Sequence, residues 1–124
     1  MRKLLFLLCF QFSNQIFCSD TLTIKLLIDS ADKFIAVDID KSLSLYEKAA
    51  NIANNIKDYE KLMECKQTIA LSSIGKHDPK LLYNKLFDFQ ANLYKFQDKL
   101  GDKKSDFELE LTQGFLLDLS IIDV

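Results

Sequence analysis

The sequence predicts an all-α protein, and three observations carry that prediction. The 124-residue chain is 48% hydrophobic and 27% charged, a composition typical of one globular domain. It contains only three glycines, one proline and no tryptophan, so few residues would interrupt a long helix. Apolar side chains recur at helical spacing between candidate caps, and no alternating, β-branched segment competes with them.

The first 19 residues have the layout of a secretory signal peptide. Arg2 and Lys3 precede a short apolar run over residues 4–10, and a more polar stretch follows. That run is about half the roughly 20 residues that a membrane-spanning helix requires, so we expect no permanent anchor. Cleavage near Cys18 or Ser19 would leave a mature domain over residues 20–124. The segment therefore predicts a secreted or periplasmic protein.

Two other interpretations of this segment stay open. Cys18 could be the lipidated residue of a lipoprotein, although Phe17 is bulky where such sites usually carry a small residue. Residues 1–19 could also form an ordinary buried helix, although the charged start and the sharp change in polarity favour a signal. We expect membrane attachment only through an uncleaved signal or a lipidated Cys18.

Removal of residues 1–19 would change the charge and the thiol count. The remaining chain would carry 14 basic and 18 acidic groups, a net charge of −4, with Cys65 as its one cysteine. A single thiol cannot form an internal disulfide, so the core must come from helix packing. Because Cys65 lies among apolar residues of a predicted helix, we expect a buried side chain rather than a reactive thiol.

Three helices are predicted between Thr21 and Gly75. The first begins at Thr21 and ends before Asp38 and Asp40, either of which can cap the second helix. Asp58 starts the third helix, and Gly75 is a natural stop because glycine tolerates a left-handed conformation. The apolar positions of these helices are Ile24, Leu27, Ile28, Ala31, Phe34, Ile35, Leu43, Tyr46, Ala49, Ala50, Ile52, Ala53, Ile56, Leu62, Met63, Cys65, Ile69, Ala70 and Ile74.

Two further helices are predicted after this boundary. Asp78 and Pro79 give an N-cap and a first-position proline to a long fourth helix, which stops at Gly101. Ser105 and Glu108 have the spacing of a capping box at the start of the fifth helix. The apolar positions of these helices are Leu82, Leu86, Phe89, Leu93, Phe96, Leu100, Leu109, Leu111, Phe115, Leu116, Leu119 and Ile122.

A weak internal repeat has a period of 44 residues. Three pairs are identical at this offset: Asp58–Asp102, Glu64–Glu108 and Thr68–Thr112. Apolar residues also agree, in the pairs Ile52–Phe96, Ile56–Leu100, Met63–Phe107, Cys65–Leu109 and Leu71–Phe115. Ala70 falls opposite Gly114, where a mid-helix glycine indicates either close packing or simple tolerance. A lone hairpin leaves apolar surface uncovered, so repeated hairpins are expected to stack.

The segment from Asp40 to Ala53 resembles the second helix of a tetratricopeptide repeat. Residues 59–75 with 79–100 resemble a first-and-second helix pair, and residues 105–120 resemble the first helix of another repeat. The resemblance implies antiparallel helical hairpins stacked as a short TPR-like α-solenoid. A signal peptide before such an array is similar to the extracytoplasmic portions of some bacterial regulators.

The C-terminal segment predicts an open edge. Apolar residues continue to Ile122, whereas repeat stacks normally close with a helix whose outer face is polar. We therefore expect the last helix to pack on another copy or on a target, or the chain to be an incomplete fragment of a longer sensor or regulator.

Few residues offer catalytic or ligand chemistry. His77 falls in a predicted connection and is expected to be solvated rather than a base or a ligand. Asp38 with Asp40, and Glu108 with Glu110, fall at helix starts, where carboxylates serve as caps and dipole partners. No catalytic or phosphate-binding motif occurs, and the net charge of −2 gives no basic surface for nucleic acid. The sequence predicts a non-enzyme without cofactor or metal.

These observations predict an exported, non-enzymatic module of helical-repeat type that binds a protein or peptide. Its groove would lie between hairpins, and the candidate recognition residues are Tyr46, Tyr83, Phe87, Tyr94 and Phe115. The alternative is a small secreted helical bundle that carries an apolar ligand between its helices.

Overall fold

The computed structural model describes residues 20–122, with side chains as far as Gly114. Within that range every regular element is a helix, which confirms the all-α class. The α-helices are α1 (20–34), α2 (Ile39–Asn55), α3 (Tyr59–Ser72), α4 (Pro79–Lys95), α5 (Gln97–Leu100) and α6 (Lys103–Ile122), with a 3-10 helix at Ser73–Lys76 between α3 and α4. The predicted signal peptide over residues 1–19 lies outside the described residues.

Aspartates begin three consecutive helices. The carboxylates of Asp38, Asp58 and Asp78 each accept a hydrogen bond from the backbone N–H three residues further on, at 3.2–3.3 Å. Each bond satisfies one of the donors that a helix start leaves without a partner. Pro79 occupies the first turn of α4, where its missing N–H costs nothing. The predicted caps at these positions are confirmed, and Asp38 rather than Asp40 caps α2.

α3 is the central helix, because its side chains reach two clusters on different sides. Leu62 and Cys65 pack with Ile24 of α1 and with the small α2 residues Ala49, Ala50 and Ala53. Met63 and Ala70 join Phe89 and Leu93 of α4, Leu100 of α5, and Phe107 and Leu111 of α6. The short connections between α1, α2, α3 and α4 make successive helices antiparallel neighbours. The small α2 residues Ala49, Ala50 and Ala53 let α1 and α2 approach closely.

The helix stop predicted at Gly75 was wrong in its position. The left-handed residue is His77, with φ 54°, which caps the 3-10 helix two residues later. Gly75 instead lies within that helix, where a side chain would bring its Cβ to 3.1 Å from Ile39 Cδ1. Gly75 therefore lies close to the start of α2, and its backbone does not make the left-handed turn.

The predicted fourth and fifth helices also differ from the structure. α4 ends at Lys95, and Phe96 separates it from α5, so the predicted long helix is divided into two. The Phe96 ring stacks on Tyr59 at a centroid distance of 4.2 Å. α6 begins at Lys103, two residues before Ser105, so the predicted capping box was wrong. Lys103 Nζ, in the first turn of α6, lies 2.7 Å from Glu60 Oε2 of α3.

The residues before α3 and α6 share a positive φ at the predicted 44-residue offset. Lys57 and Gly101, one residue before Asp58 and Asp102, have φ angles of 61° and 57°. Tyr59 and Lys103 then begin their helices. Further along, the hydroxyls of Thr68 and Thr112 each donate at 2.9 Å to the backbone carbonyl four residues earlier. The repeated sequence therefore accompanies a positive φ before each helix, although the hydrogen bonds that close the two turns differ.

Gly114 is a point of close approach between α3 and α6. A Cβ built on Gly114 would lie 3.0 Å from Leu71 Cδ1 and 3.2 Å from Leu71 Cδ2. A larger residue would force Leu71 to move, so the glycine permits the observed helix separation. Of the two predicted reasons for a mid-helix glycine, this contact favours close packing over simple tolerance.

Candidate functional site

α4 has an inner and an outer face, and the two differ sharply in burial. Phe89 and Leu93 on the inner face are 0% and 2% exposed and pack against α3. Two residues before Phe89, Phe87 is 75% exposed. Since successive helical residues are turned by about 100°, Phe87 and Phe89 point in nearly opposite directions. The helix therefore places one phenylalanine in the core and offers the other to solvent.

Three aromatic side chains form the α4 outer face: Tyr83, Phe87 and Tyr94, which are 75%, 75% and 61% exposed. Their spacing of four and seven residues places them on one side of the helix, in a row about 16 Å long. An exposed aromatic residue is ordinary when it stands alone, but a row of three on one helix face is a candidate interaction surface. The sequence predicted all three as recognition residues, and the structure brings them together.

A groove between α4 and α6 lies beside the C-terminal end of this row. It has a volume of about 260 Å³, and its walls include Leu93 and Tyr94 of α4 with Glu108 and Leu111 of α6. Lys104 Nζ stands 4.7 Å from the centroid of the Tyr94 ring, a cation–π contact across the groove. Tyr94 is therefore held by α6 at one edge while most of its ring stays exposed.

Ion pairs fix α4 against α2 and α3 on the side away from the aromatic row. Lys66 Nζ of α3 lies 2.7 Å from Asp88 Oδ2 and 3.8 Å from Glu47 Oε2, and Lys85 Nζ lies 2.8 Å from Glu47 Oε1. The Lys66 side chain is only 16% exposed, so solvent screens these contacts less than a surface pair. Asn92 Nδ2 also donates to Asp88 Oδ1 at 3.2 Å. This network sets the rotation of α4 and thereby the direction of its outer face.

The other two predicted recognition residues do not join this surface. Tyr46 is 3% exposed and packs with Ala31 and Ile69, and its hydroxyl donates to the Asp32 carboxylate. Burial first, and then the neighbouring Asp32 carboxylate, raise the pKa of Tyr46 well above its usual value. Tyr46 is thus a core residue, and the prediction that it belongs to a partner-binding surface was wrong. The side chain of Phe115 lies outside the described ones.

The remaining candidates have structural partners. Cys65 is 1% exposed, which confirms the expected buried thiol, and burial raises its pKa to about 12. Asp40 lies 2.6 Å from Lys76 Nζ, and Glu108 lies 3.4 Å from Lys104 Nζ. Glu110 lines a groove of about 200 Å³ between α3 and α6. Within the described residues, no three His, Cys, Asp or Glu side chains are placed to hold a metal.

One surface escaped the sequence interpretation. A groove of about 630 Å³ lies beside the start of α1, with Leu22, Ile24 and Ile28 among its walls and with Asp58 and Lys61 from the opposite side. Leu22 is 57% exposed at its edge. The signal was present in the α1 pattern, since Ile24 and Ile28, which line the groove, lie one turn apart.

Comparisons with known proteins give no match to a family model, to a curated protein or to a solved structure. Among the helices of residues 20–122, none is both long enough and apolar enough to cross a membrane. The function must therefore be argued from the surfaces described above.

Proposed function

We propose that this chain is an exported, non-enzymatic module that binds a protein or peptide segment through the α4 outer face. The observation that carries the proposal is the row of Tyr83, Phe87 and Tyr94, which stays exposed although Phe89 on the same helix is fully buried. Aromatic side chains supply much of the binding energy at protein interfaces, because they bury large areas with few rotatable bonds.

The rigidity of α4 supports a binding role. Its inner face is anchored by Phe89 and Leu93, and its flank by the Lys66–Asp88 ion pair. A surface held in this way loses little conformational entropy when a partner binds, so more of the contact energy contributes to affinity. The groove between α4 and α6 adds a concave edge for a partner side chain.

The same proposal describes the architecture as a short TPR-like α-solenoid of stacked hairpins. The description rests on the sequence resemblance given above and on the contact of α3 with helices on both sides. In such a stack each hairpin contacts only its neighbours, and the terminal helix keeps an apolar face for another copy or for a target. Membership in an extracytoplasmic part of a bacterial regulator is consistent with this description.

Site-specific photo-crosslinking tests the binding surface. The photoreactive amino acid benzoylphenylalanine is incorporated in place of Phe87, and the full chain is expressed in the organism that naturally produces it. Each crosslinked adduct is identified by mass spectrometry. We expect one defined protein adduct, which the Tyr83→Ser and Tyr94→Ser substitutions reduce because they remove neighbouring contacts. Leu26 on α1 is the matched control position, since it is 57% exposed and lies on a different helix.

The comparison between crosslinks from position 87 and from control position 26 decides whether the binding is specific. Adducts of the same identity from positions 87 and 26 would indicate non-specific collision and would contradict the proposal. The absence of any adduct at position 87 would contradict it as well. Circular dichroism of each variant confirms the helical fold, since these exposed positions do not support the core.

Export is tested separately, by the N-terminal sequence of the protein recovered outside the cytoplasm. We expect the recovered chain to begin near Ser19 or Asp20, because the apolar run over residues 4–10 precedes that point. Recovery of an intact Met1 start from the cytoplasm alone would contradict the exported location.

A second candidate function is the transport of a small apolar ligand, which the groove beside α1 favours. Its volume of about 630 Å³ lies in the range of small-molecule sites, and three of its walls are aliphatic. Mass spectrometry of the purified protein under native conditions tests this candidate. A bound lipid that is lost with Ile28→Asp and retained with Phe87→Ser would favour it over the peptide-binding module.

A further inference from the structure

The groove beside the start of α1 has aliphatic walls that the core holds in place. Ile24 is 2% exposed and packs with Leu62 and Cys65 of α3, and Ile28 packs against the same cluster. Leu22, at the edge of the groove, is 57% exposed. The charged side chains of the walls are two of each sign: Lys25, Asp29, Asp58 and Lys61. Because these charges offset one another, the groove suits an apolar occupant better than a charged one.

The chain itself supplies an apolar segment close to this groove. Residues 4–10 are seven consecutive apolar residues, and the nine residues 11–19 connect them to the start of α1. Nine extended residues reach about 30 Å. The groove walls from Thr21 to Asp29 follow only about 12 Å of the α1 axis. The connection is therefore long enough for the apolar run to reach any part of the groove.

We propose that, while residues 1–19 are still attached, the apolar run over residues 4–10 folds back and lies in the groove beside α1. Ser13 and Asn14, which follow the run, are residues that favour the required reversal of the chain. Removal of residues 1–19 then opens the groove. This contact goes beyond the proposed function, because it concerns the chain before cleavage and leaves the α4 outer face unchanged.

Attachment to α1 favours this run over a separate molecule as the occupant. A short flexible connection keeps a segment near its site at an effective concentration in the millimolar range. As a helix the run would be about 9 Å long, which fits within the length of the walls. Folded back, it lies antiparallel to α1, so Arg2 and Lys3 fall toward the end of the groove that holds Asp29. Burial of the run removes its leucine and phenylalanine side chains from water.

Thiol labelling of the full chain tests this contact. Cell-free synthesis without membranes keeps residues 1–19 attached, and Cys9→Ser with Cys18→Ser leaves the buried Cys65 as the one natural thiol. Leu22→Cys then places a reactive thiol at the edge of the groove. Leu26→Cys is the matched control, since Leu26 is also 57% exposed but does not belong to the groove walls.

A polar substitution within the run gives the decisive comparison. Leu7→Asp/Leu8→Asp makes burial of the run unfavourable and should uncover the groove. We expect the rate of maleimide labelling at position 22 to rise roughly tenfold, and the rate at position 26 to stay within about twofold.

Cys9 gives an independent measurement, because it lies within the run. In a chain that keeps Cys9 and carries Cys18→Ser with Leu22→Cys, a short bismaleimide should join position 9 to position 22 of the same molecule. Mass spectrometry of the digested protein identifies this crosslink. Leu7→Asp/Leu8→Asp should reduce its yield roughly fivefold or more, because the run then leaves the groove while its connection to α1 stays the same.

The possible results separate this contact from the proposed function. An unchanged labelling rate at position 22, or an equal rise at positions 22 and 26, would overturn the proposal. Crosslinks that join two chains and disappear on dilution would also overturn it, and would assign the groove to a second copy. The photo-crosslinks from position 87 test the α4 outer face on their own, so that face stands or falls independently of these results.

Discussion

α3 and α6 follow the same sequence pattern 44 residues apart, yet the structure covers them differently. Met63 and Phe107 are equivalent, and both are buried, at 0% and 7% exposed. Cys65 and Leu109 are equivalent as well, but Cys65 is 1% exposed whereas Leu109 is 57% exposed. The side of α3 that holds Cys65 is covered by α1 and α2. The corresponding side of α6 at Leu109 is open.

The difference shows what a hydrophobic pattern determines and what it does not. The pattern determines which faces of a helix are apolar, because those faces follow from residue spacing alone. Whether a face is buried depends on which neighbours the rest of the chain supplies. α3 has neighbours on two sides, and α6 has its described buried residues in one cluster with α3, α4 and α5.

Alanine substitutions at Met63 in α3 and at Leu109 in α6 test this comparison and are expected to differ most in their effect on stability. Met63→Ala should lower the free energy of unfolding by about 3 kcal/mol, because it opens a cavity among fully buried neighbours. Leu109→Ala should change it by less than about 0.5 kcal/mol, because most of that side chain already contacts water. Urea denaturation at two protein concentrations measures both. A large, concentration-dependent loss for Leu109→Ala would mean that a second copy covers α6.

The turns before the two helices differ in what they require of their residues. Gly101 has φ 57° and ψ −129°, a conformation that residues with a Cβ rarely adopt. A Cβ at this position would meet no atom within 4 Å, so the cost of Gly101→Ala is in the backbone alone. We expect a loss of about 2 kcal/mol in the free energy of unfolding, against no significant loss for the neighbouring exposed control Lys99→Ala. A neutral Gly101→Ala variant would show that the turn can relax without cost.

Cys65, on the covered side of α3, should also make the stability of the chain depend on pH. Its equivalent in α6, Leu109, has no titratable group. Burial raises the pKa of the Cys65 thiol from 9.0 to about 12, so the folded chain holds this proton to higher pH than the unfolded chain. The resulting stabilisation is fully present below pH 9 and is lost as the pH rises from about 9 to about 12.

Between pH 8.5 and 10 we expect wild type to lose about 1 kcal/mol more stability than Cys65→Ala, which has no thiol to titrate. Urea denaturation of both proteins at each pH measures the difference. Equal slopes for the two proteins would show that the folded thiol titrates normally. Thiol reagents should likewise modify Cys65 only in the unfolded chain at neutral pH, because the folded side chain is buried.

Much of the fold follows from local rules that the sequence displays. The aspartate caps at Asp38, Asp58 and Asp78 depend on one side chain and one backbone N–H, so the sequence predicts them directly. Ser105 and Gly75 show where local rules fail. An ion pair from Lys103 to α3 accompanies an earlier start of α6, and Gly75 lies close to Ile39 of α2. Both depend on contacts between distant residues, which spacing does not reveal.

The candidate site shows the same division. Tyr83, Phe87 and Tyr94 were found because their spacing places them on one face of one helix. Tyr46 was misplaced because its burial depends on α1, which supplies Ala31 and the Asp32 carboxylate. A signal was available, since Tyr46 shares a helix face with Ala49, Ala50 and Ala53, where small residues indicate a close neighbour.

Lys57, before α3, occupies the position equivalent to Gly101, before α6. Its substitution gives the smallest expected effect on stability. Its N–H donates to the Asn54 carbonyl at 3.2 Å, and the N–H of Asp58 donates to the Ala53 carbonyl at 2.9 Å, a pair of bonds that closes α2 with a left-handed residue. Glycine adopts this conformation without the steric cost of a Cβ, so Lys57→Gly should raise the free energy of unfolding by about 0.5 kcal/mol.

Lys48→Gly is the matched control, since it makes the same chemical change at an exposed position inside α2. It should lower stability by about 1 kcal/mol, because glycine is a poor helix former. Opposite signs for the two variants, measured by urea denaturation, would establish that the turn before α3 tolerates lysine at a cost that the turn before α6 avoids. Equal losses of stability in the two variants would mean that contacts of the Lys57 side chain stabilise the fold by more than its left-handed backbone destabilises it. The two turns would then be alike in sequence position only.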